Sequence, residues 1–383
     1  MNDGHNFTSP CFSRRILASA AACCIFAISA FGQAALPNEL VNGVSLNDQQ
    51  KSVLREYVAP LLPQLKVANT LKSARERLLE PLGSQNVSTT FRLELWRNVA
   101  STAQEMVKAV DDVQKVNGLR IAGEVATDAS VGTITPSLKD KYASIRFAAS
   151  FAIMRAFEQT HGKPAAISKE TALELITSIS SAMKVETDAN CFDSMVRAIA
   201  AAGSDRQTID PIVQRRALEN LSTVCSELLQ KNGDKAIDDT RLEAFVRALT
   251  TIRDSFTKPQ AQAAPPSWTN DGAAFAGDAL ASVYRQLRKA NSELAPIKAD
   301  DIEDAIEAKK AARRGATQLV FIAESAITLA RQIRGNPNQT TSIADQLKRA
   351  EVKTDASALE DMNSLLTDKL AKEFTFPADR FLK

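Results

Sequence analysis

Histidine is nearly missing from this chain, with two in 383 residues. That leaves no His-rich metal site and no H-E-x-x-H zinc helix. Cysteine is scarce as well: of five in all, only Cys191 and Cys225 lie beyond residue 34, and two thiols so far apart make no zinc cluster. There is no G-x-x-x-x-G-K-[ST] phosphate loop, no G-x-G-x-x-G after a strand and no G-x-S-x-G elbow. Aromatics make up 5% of residues, thin for a β-sandwich, whose faces favour aromatic and β-branched side chains. A formal net charge of +2 gives no basic field of the kind that grips nucleic acid. Beyond residue 34 no apolar run is long enough to span a bilayer. These absences lead us to expect no cofactor, no metal, no nucleic-acid partner and no catalytic role.

What is present is helical. Apolar residues are 44% and charged residues 24%, a globular composition with ample core material. The length suits two ordinary domains or one extended repeat array. The chain is organised around 138–157, LKDKYASIRFAASFAIMRAF. From Ser144, the residues Ile145, Ala148, Ala149, Ala152, Ile153 and Ala156 fall on one helical face. A second apolar row runs along Phe147, Phe151, Met154 and Phe157. A helix with two apolar faces belongs in the middle of a stack, its alanines letting a neighbour come close.

Asp140-x4-Ile145-Arg146-x-Ala148-Ala149 resembles the turn and second helix of a HEAT repeat. The resemblance implies that Asp140 sits in the turn between two helices and that Arg146 ties neighbouring repeats by hydrogen bonds. It covers one repeat of roughly 40 residues. Fainter echoes follow at Val196-Arg197 and Val246-Arg247, where Cys191 and Arg241 stand in place of the Asp.

The N-terminus reads as an export signal. Arg14-Arg15 precede an apolar run from Ile16 to Phe31, and Gly32 and Ala34 occupy the −3 and −1 places of a cleavage site after Ala34. Ser13-Arg14-Arg15-x-Leu17 partly resembles a twin-arginine motif, and the general secretory route is the other reading. Cleavage would remove Asp3, Arg14 and Arg15, lowering the net charge to +1. The protein is thus expected to be periplasmic or secreted, with no membrane span in its mature form.

From Ser45 on, helices follow with little relief. Ser45-x-x-Asp48 resembles a capping box, and Pro60 and Pro63 end that helix. Leu71, Ala74, Leu78 and Leu79 mark the next, and a long one runs from Phe91 to Val110. Residues 118–136, with Gly118, Gly123 and Gly132, suggest a turn or a very short strand. His161-Gly162-Lys163-Pro164 reads as a turn. Asp210-Pro211 opens a helix that Asn232-Gly233 closes. The segment 258–268, KPQAQAAPPSW, has three prolines and no apolar period, as a linker would. We expect a signal peptide at 1–34, a helical lobe at 35–256, a linker at 257–268 and a second lobe at 269–383. The fold class expected is an all-α solenoid of stacked antiparallel hairpins.

Two clusters carry chemistry. Asp300-Asp301-x-x-Asp304 is similar to the D-D-x-x-D of isoprenoid synthases, which implies a Mg²⁺ and diphosphate site; Glu360, Ser364 and Asp368 resemble a degenerate second half. The same acids also suit a helix start, where carboxylates meet the positive end of the dipole. Lys309, Lys310, Arg313 and Arg314 form a basic stripe, either a solvated face or a surface for an acidic protein. Cys191 and Cys225 are either bridged across an antiparallel helix pair or free, since Cys225 also fits the apolar stripe of Leu221 and Leu228. The function expected is a protein–protein scaffold of the cell envelope with an unidentified protein partner; the alternative is an all-α Mg²⁺-dependent enzyme using Asp300, Asp301 and Asp304.

Intact-mass analysis of exported protein is expected to place the mature N-terminus within a few residues of Ala35. Recovery of the uncleaved chain would refute the processing site.

Overall fold

The computed structural model describes residues 35–84, 86–159, 165–204, 210–258, 267–289, 293–298, 301–336, 342–349, 352–377 and 379–382. The helices are α1 (Asn38–Asn42), α2 (Asp48–Val58), α3 (Leu61–Gln64), α4 (Ala68–Leu79), α5 (Thr89–Val107), α6 (Asp112–Val125), α7 (Asp128–Ile134) and α8 (Ala143–Glu158). They continue as α9 (Lys169–Met183), α10 (Ala189–Gly203), α11 (Pro211–Asn232), α12 (Asp239–Phe256), α13 (Ser267–Leu287), α14 (Glu303–Ile333), α15 (Ile343–Lys348) and α16 (Val352–Ser364). A π-helical turn, Leu365–Ala371, extends α16, and a 3-10 turn, Thr135–Lys139, leads from α7 towards α8. No strand occurs among the described residues.

Local chemistry sets many of these boundaries. Asp111, Ser168, Asp188 and Asp238 each accept a backbone N–H of their own helix's first turn, satisfying donors that the helix leaves open. Asp210 caps α11 with Pro211 behind it, and Gly233, at φ 62°, ends that helix. The capping box of α2 falls two residues later than Ser45 and Asp48 suggested. The Asn47 side chain accepts from the Gln50 amide at 2.9 Å, and Gln50 Oε1 accepts from the Asn47 amide at 3.0 Å.

The helices form two layers. In one, α4, α6, α8, α10, α12 and α14 each pack on the next. In the other, α5, α7 with its 3-10 turn, α9, α11 and α13 do the same, and α16 packs on α13. Successive helices pair across the layers: α5 with α6, α7 with α8, α9 with α10, α13 with α14. This is an all-α solenoid of stacked hairpins, and its buried apolar residues form one continuous core. The aromatics Phe192, Phe245 and Phe275 link α10, α12 and α13 at centroid distances of 5.4 and 6.5 Å. Trp268, expected in the linker, lies inside α13 and stacks on Phe256 of α12 at 5.3 Å. Residues 259–266 of that linker, His161 with its turn, and the whole N-terminal signal lie outside the described residues.

Residues 118–136 hold the turn their composition suggested at Ala126–Thr127, where Ala126 takes φ 54°, but the rest is helical and no strand forms. The spacing hides because α6 buries small and polar residues, Asn117, Gly118 and Gly123 beside Leu119 and Ile121. Gly123 explains why: a Cβ there would lie 2.5 Å from the Ala152 carbonyl oxygen and 2.8 Å from its Cα. The α6 and α8 backbones therefore touch. The long helix expected to reach Val110 stops at Val107, and Val110 is fully exposed.

Gly123→Ala is expected to destabilise the protein by about 1–3 kcal/mol, because overpacking outweighs the roughly 1 kcal/mol gain in helix propensity. Gly132→Ala, where a Cβ meets open space, is expected to raise stability by about 0.5–1 kcal/mol. Urea titration of both variants reads the two signs.

Candidate interaction surface

The turns at one edge of the α6–α12 layer are joined by charge. Asp140 precedes α8; its carboxylate accepts from the Tyr142 amide at 2.9 Å and from Lys115 of α6 at 3.3 Å. Arg146, one turn into α8, donates to the Asp140 carbonyl at 3.0 Å and forks onto Glu186 at 2.7 and 2.8 Å. Glu186 lies in the turn before α10, its side chain almost wholly buried. Arg241, at the start of α12, donates to the Glu186 carbonyl at 2.6 Å and lies over the Phe192 ring. Three successive hairpins are thus tied through one turn. Bidentate Arg–carboxylate pairs of this kind are among the stronger polar contacts in proteins. Burial pushes the Glu186 carboxyl up, but the Arg146 fork and the Asp188 amide more than offset it and leave it below the usual range.

Sequence reasoning singled out Asp140 and Arg146 but missed Glu186 and Arg241. Glu186 stands two residues before the cap Asp188, and that E-x-D pattern was the available signal. Where the resemblance lacked an Asp, Cys191 donates its thiol to the Ala143 carbonyl at 3.0 Å, and Arg241 supplies a cation instead. One helix face further on, Asp193 accepts from Arg197 at 2.6 Å and from Arg247 of α12 at 3.0 Å.

The opposite ends of α6 and α8 carry a second network. Arg92 of α5, 4% exposed, donates to the Glu124 and Val125 carbonyls at 2.8 and 3.2 Å and to Gln159 at 3.0 Å. Burial pulls its guanidinium down to about 10, still charged at neutral pH. Arg155 forks onto Glu124 at 2.9 and 3.2 Å.

Between the two networks α8 opens to solvent. Its second apolar row is buried at Phe157 and half-buried at Met154, then emerges at Phe151 and Phe147, which are 39% and 42% exposed. Those two rings stack with centroids 6.5 Å apart.

The other sequence-derived candidates are placed as follows. The two cysteines are unbridged and buried: Cys225 sits in the core of α11, and burial lifts the Cys191 thiol to about 12. Asp301 accepts from the Lys298 amide at 2.7 Å and from Lys309 at 2.6 Å, both of which hold its carboxyl low. Asp304 is exposed in the first turn of α14, and Asp300 lies outside the described residues. No group of three metal-ligating side chains is found among the described residues. Arg313 of the basic stripe turns inward onto Asp355 of α16 and the Leu347 carbonyl, while Lys310 pairs with Glu307 at 2.8 Å.

A buried polar cluster closes the C-terminal end. Asp278 of α13 accepts from Ser226, from Gln230 at 3.0 Å and from Arg380 at 2.9 Å. Burial raises its carboxyl above the usual range despite these donors. Phe381 beside Arg380 fits only because position 277 is glycine: a Cβ there would come within 2.5 Å of its ring. No described helix is long and apolar enough to cross a membrane.

No protein-family model matches the chain, and no curated protein does. Among solved structures it is similar to the crystal structure of an engineered protein from the Northeast Structural Genomics Consortium, with 14% identity, 90% of this chain and 98% of that chain covered, and a TM-score of 0.24. A likeness that weak carries no argument.

Arg146→Ala is expected to cost about 1–3 kcal/mol in urea titration. The pH dependence has a definite sign. Glu186 titrates lower folded than unfolded, so its contribution is complete above its unfolded value, about 4.3, and is lost as pH falls through the folded one. The gap in urea midpoint between wild type and Glu186→Gln should therefore narrow as pH drops below that value; a constant gap would show the carboxylate charge to be irrelevant.

Proposed function

We propose that this protein is an exported, HEAT-like scaffold that holds a protein partner in the cell envelope. The observation that carries the reading is the Phe147–Phe151 ring pair, left open on a central helix whose neighbours are closed by charge networks. Exposed stacked aromatics on a rigid layer are what a partner's apolar side chains dock against. The helices beside α8 extend the surface, and a specific interface of about 1,200–2,000 Å² needs several of them. The Asp140–Arg146–Glu186 ladder supports the HEAT-like reading, because the tie between repeats that the resemblance implies matches a contact of this kind. Export rests on the N-terminal segment alone.

The test is crosslinked capture from the envelope fraction, with wild type and Phe147→Ala/Phe151→Ala in parallel. Both rings are solvent-facing, so the double variant should fold with normal stability and lose capture by roughly 30-fold in affinity, as loss of a central anchor does. Equal capture by both proteins would refute the α8 surface. Should Mg²⁺ with a diphosphate raise the melting temperature by several degrees, and Asp304→Ala abolish that rise, the enzyme reading built on Asp301 and Asp304 would replace this one.

A further inference from the structure

Away from α8, a groove of about 510 Å³ opens between α14 and α15, lined by Ile297, Lys310, Arg313, Arg314, Thr317, Gln318, Phe321, Leu347 and Lys348. Its size falls in the range of small-ligand sites. Four of the lining residues are cations and none is a carboxylate. Lys310 and Lys348 form pairs with Glu307 and Asp345, all four side chains well exposed, and such pairs exchange readily for a better-placed anion. Arg313 is 7% exposed and held on Asp355, with its Nε finding no acceptor among the described residues. Besides Thr317 and Gln318 the rest of the wall is apolar: Ile297, buried Leu347 and Phe321, which is 55% exposed. The aliphatic stems of lysine and arginine add to that wall while their charged tips reach water.

A trough with an apolar wall and four cations on its rim, whose carboxylate partners Glu307, Asp345 and Asp355 lie outside the lining, is complementary to one chemical type. We propose that this groove binds a small amphiphilic anion, a single acyl chain ending in a carboxylate. The head sits among Lys310, Arg314 and Lys348, and the chain lies against Phe321, Leu347 and Ile297. The site is independent of the α8 surface and stands whether or not that surface holds a partner.

The probe is a dansyl-labelled undecanoate titrated into the full chain below its micellar concentration, followed by displacement with unlabelled laurate. Saturable binding at one site is expected, displaced by laurate and not by dodecyltrimethylammonium. Lys310→Glu/Arg314→Glu changes only exposed side chains and should weaken binding about tenfold or more, because it sets like charges against the head. Phe321→Ala should weaken it through the chain, and the loss should persist in high salt, where the charge effect fades. Circular dichroism melts confirm that both variants are folded. The proposal is overturned by non-saturable uptake, by unchanged affinity in the charge-reversed variant, or by equal displacement with the cationic amphiphile. It is also overturned if a glutamate-rich peptide or anionic vesicles displace the dansyl probe and laurate does not.

Discussion

The contact on which this architecture depends is the one between α6 and α8, where the missing side chain of Gly123 lets two backbones meet at Ala152. Such an approach fixes both the spacing and the axial register of the pair. Because the register is fixed, the two ends of the helices bring opposite charges within reach together: Lys115 and Asp140 at one end, Glu124 and Arg155 at the other. Ion pairs on a loosely held surface contribute little. Here the side chains are partly buried, Arg155 is forked onto Glu124, and their orientation is supplied by the packing rather than by the pairs. The networks act as locks on a spacing that small residues set.

Much of the fold was legible because its signals are local. Asp210 followed by Pro211 announces a helix start whatever lies around it, and Gly233 announces its end. The apolar period of α8, α11 and α12 is plain. Legibility failed where packing is tightest. A helix that buries Gly118 and Gly123 presents no hydrophobic stripe, so α6 was hidden by the feature that makes it central. The acidic-then-basic stretch from Asp300 to Arg314 looks separate from the apolar run beginning at Leu319, yet from Glu303 on the two form one helix, whose register carries Arg313 inward to Asp355. A carboxylate forty residues away cannot be read from the local pattern. Glu186 escaped for the same reason: its meaning comes from Arg146 and Arg241, one on each neighbouring hairpin.

Towards the C-terminus the rule of the array changes. From α5 to α12 the ties at Arg92, Arg146, Arg155 and Arg241 lie near helix ends, where turns offer carbonyls and carboxylates, while Asn117 meets Arg75 in the middle of α6. From α13 onward they also involve mid-helix side chains and the closing segment: Asp278 with Ser226 and Arg380, Arg313 with Asp355 in the first turn of α16, and Arg331 in the last turn of α14 with Glu373. Residues 379–382 fold back on α13, setting Phe381 against Gly277 and Arg380 onto Asp278. Removing either partner of such a buried pair strands the other, so the closure tends to hold or release as a unit.

This change of rule also sorts the surface. Where repeats are tied edge to edge, cations are spent on neighbouring turns: Arg146, Arg155, Arg241 and Arg247 all have carboxylate or carbonyl acceptors on an adjacent hairpin. What such a region can still offer a partner is apolar, and α8 offers its two rings. Around α14 and α15, Arg313 and Arg331 are drawn into the interior, while Lys310 and Lys348 keep exposed, short-range partners on their own helices. That region offers charge together with apolar wall. As proposed, the two faces would select by different physics, the first by shape and desolvation, the second by an anion's head and tail, and the division would follow from which arginines the stacking uses for itself.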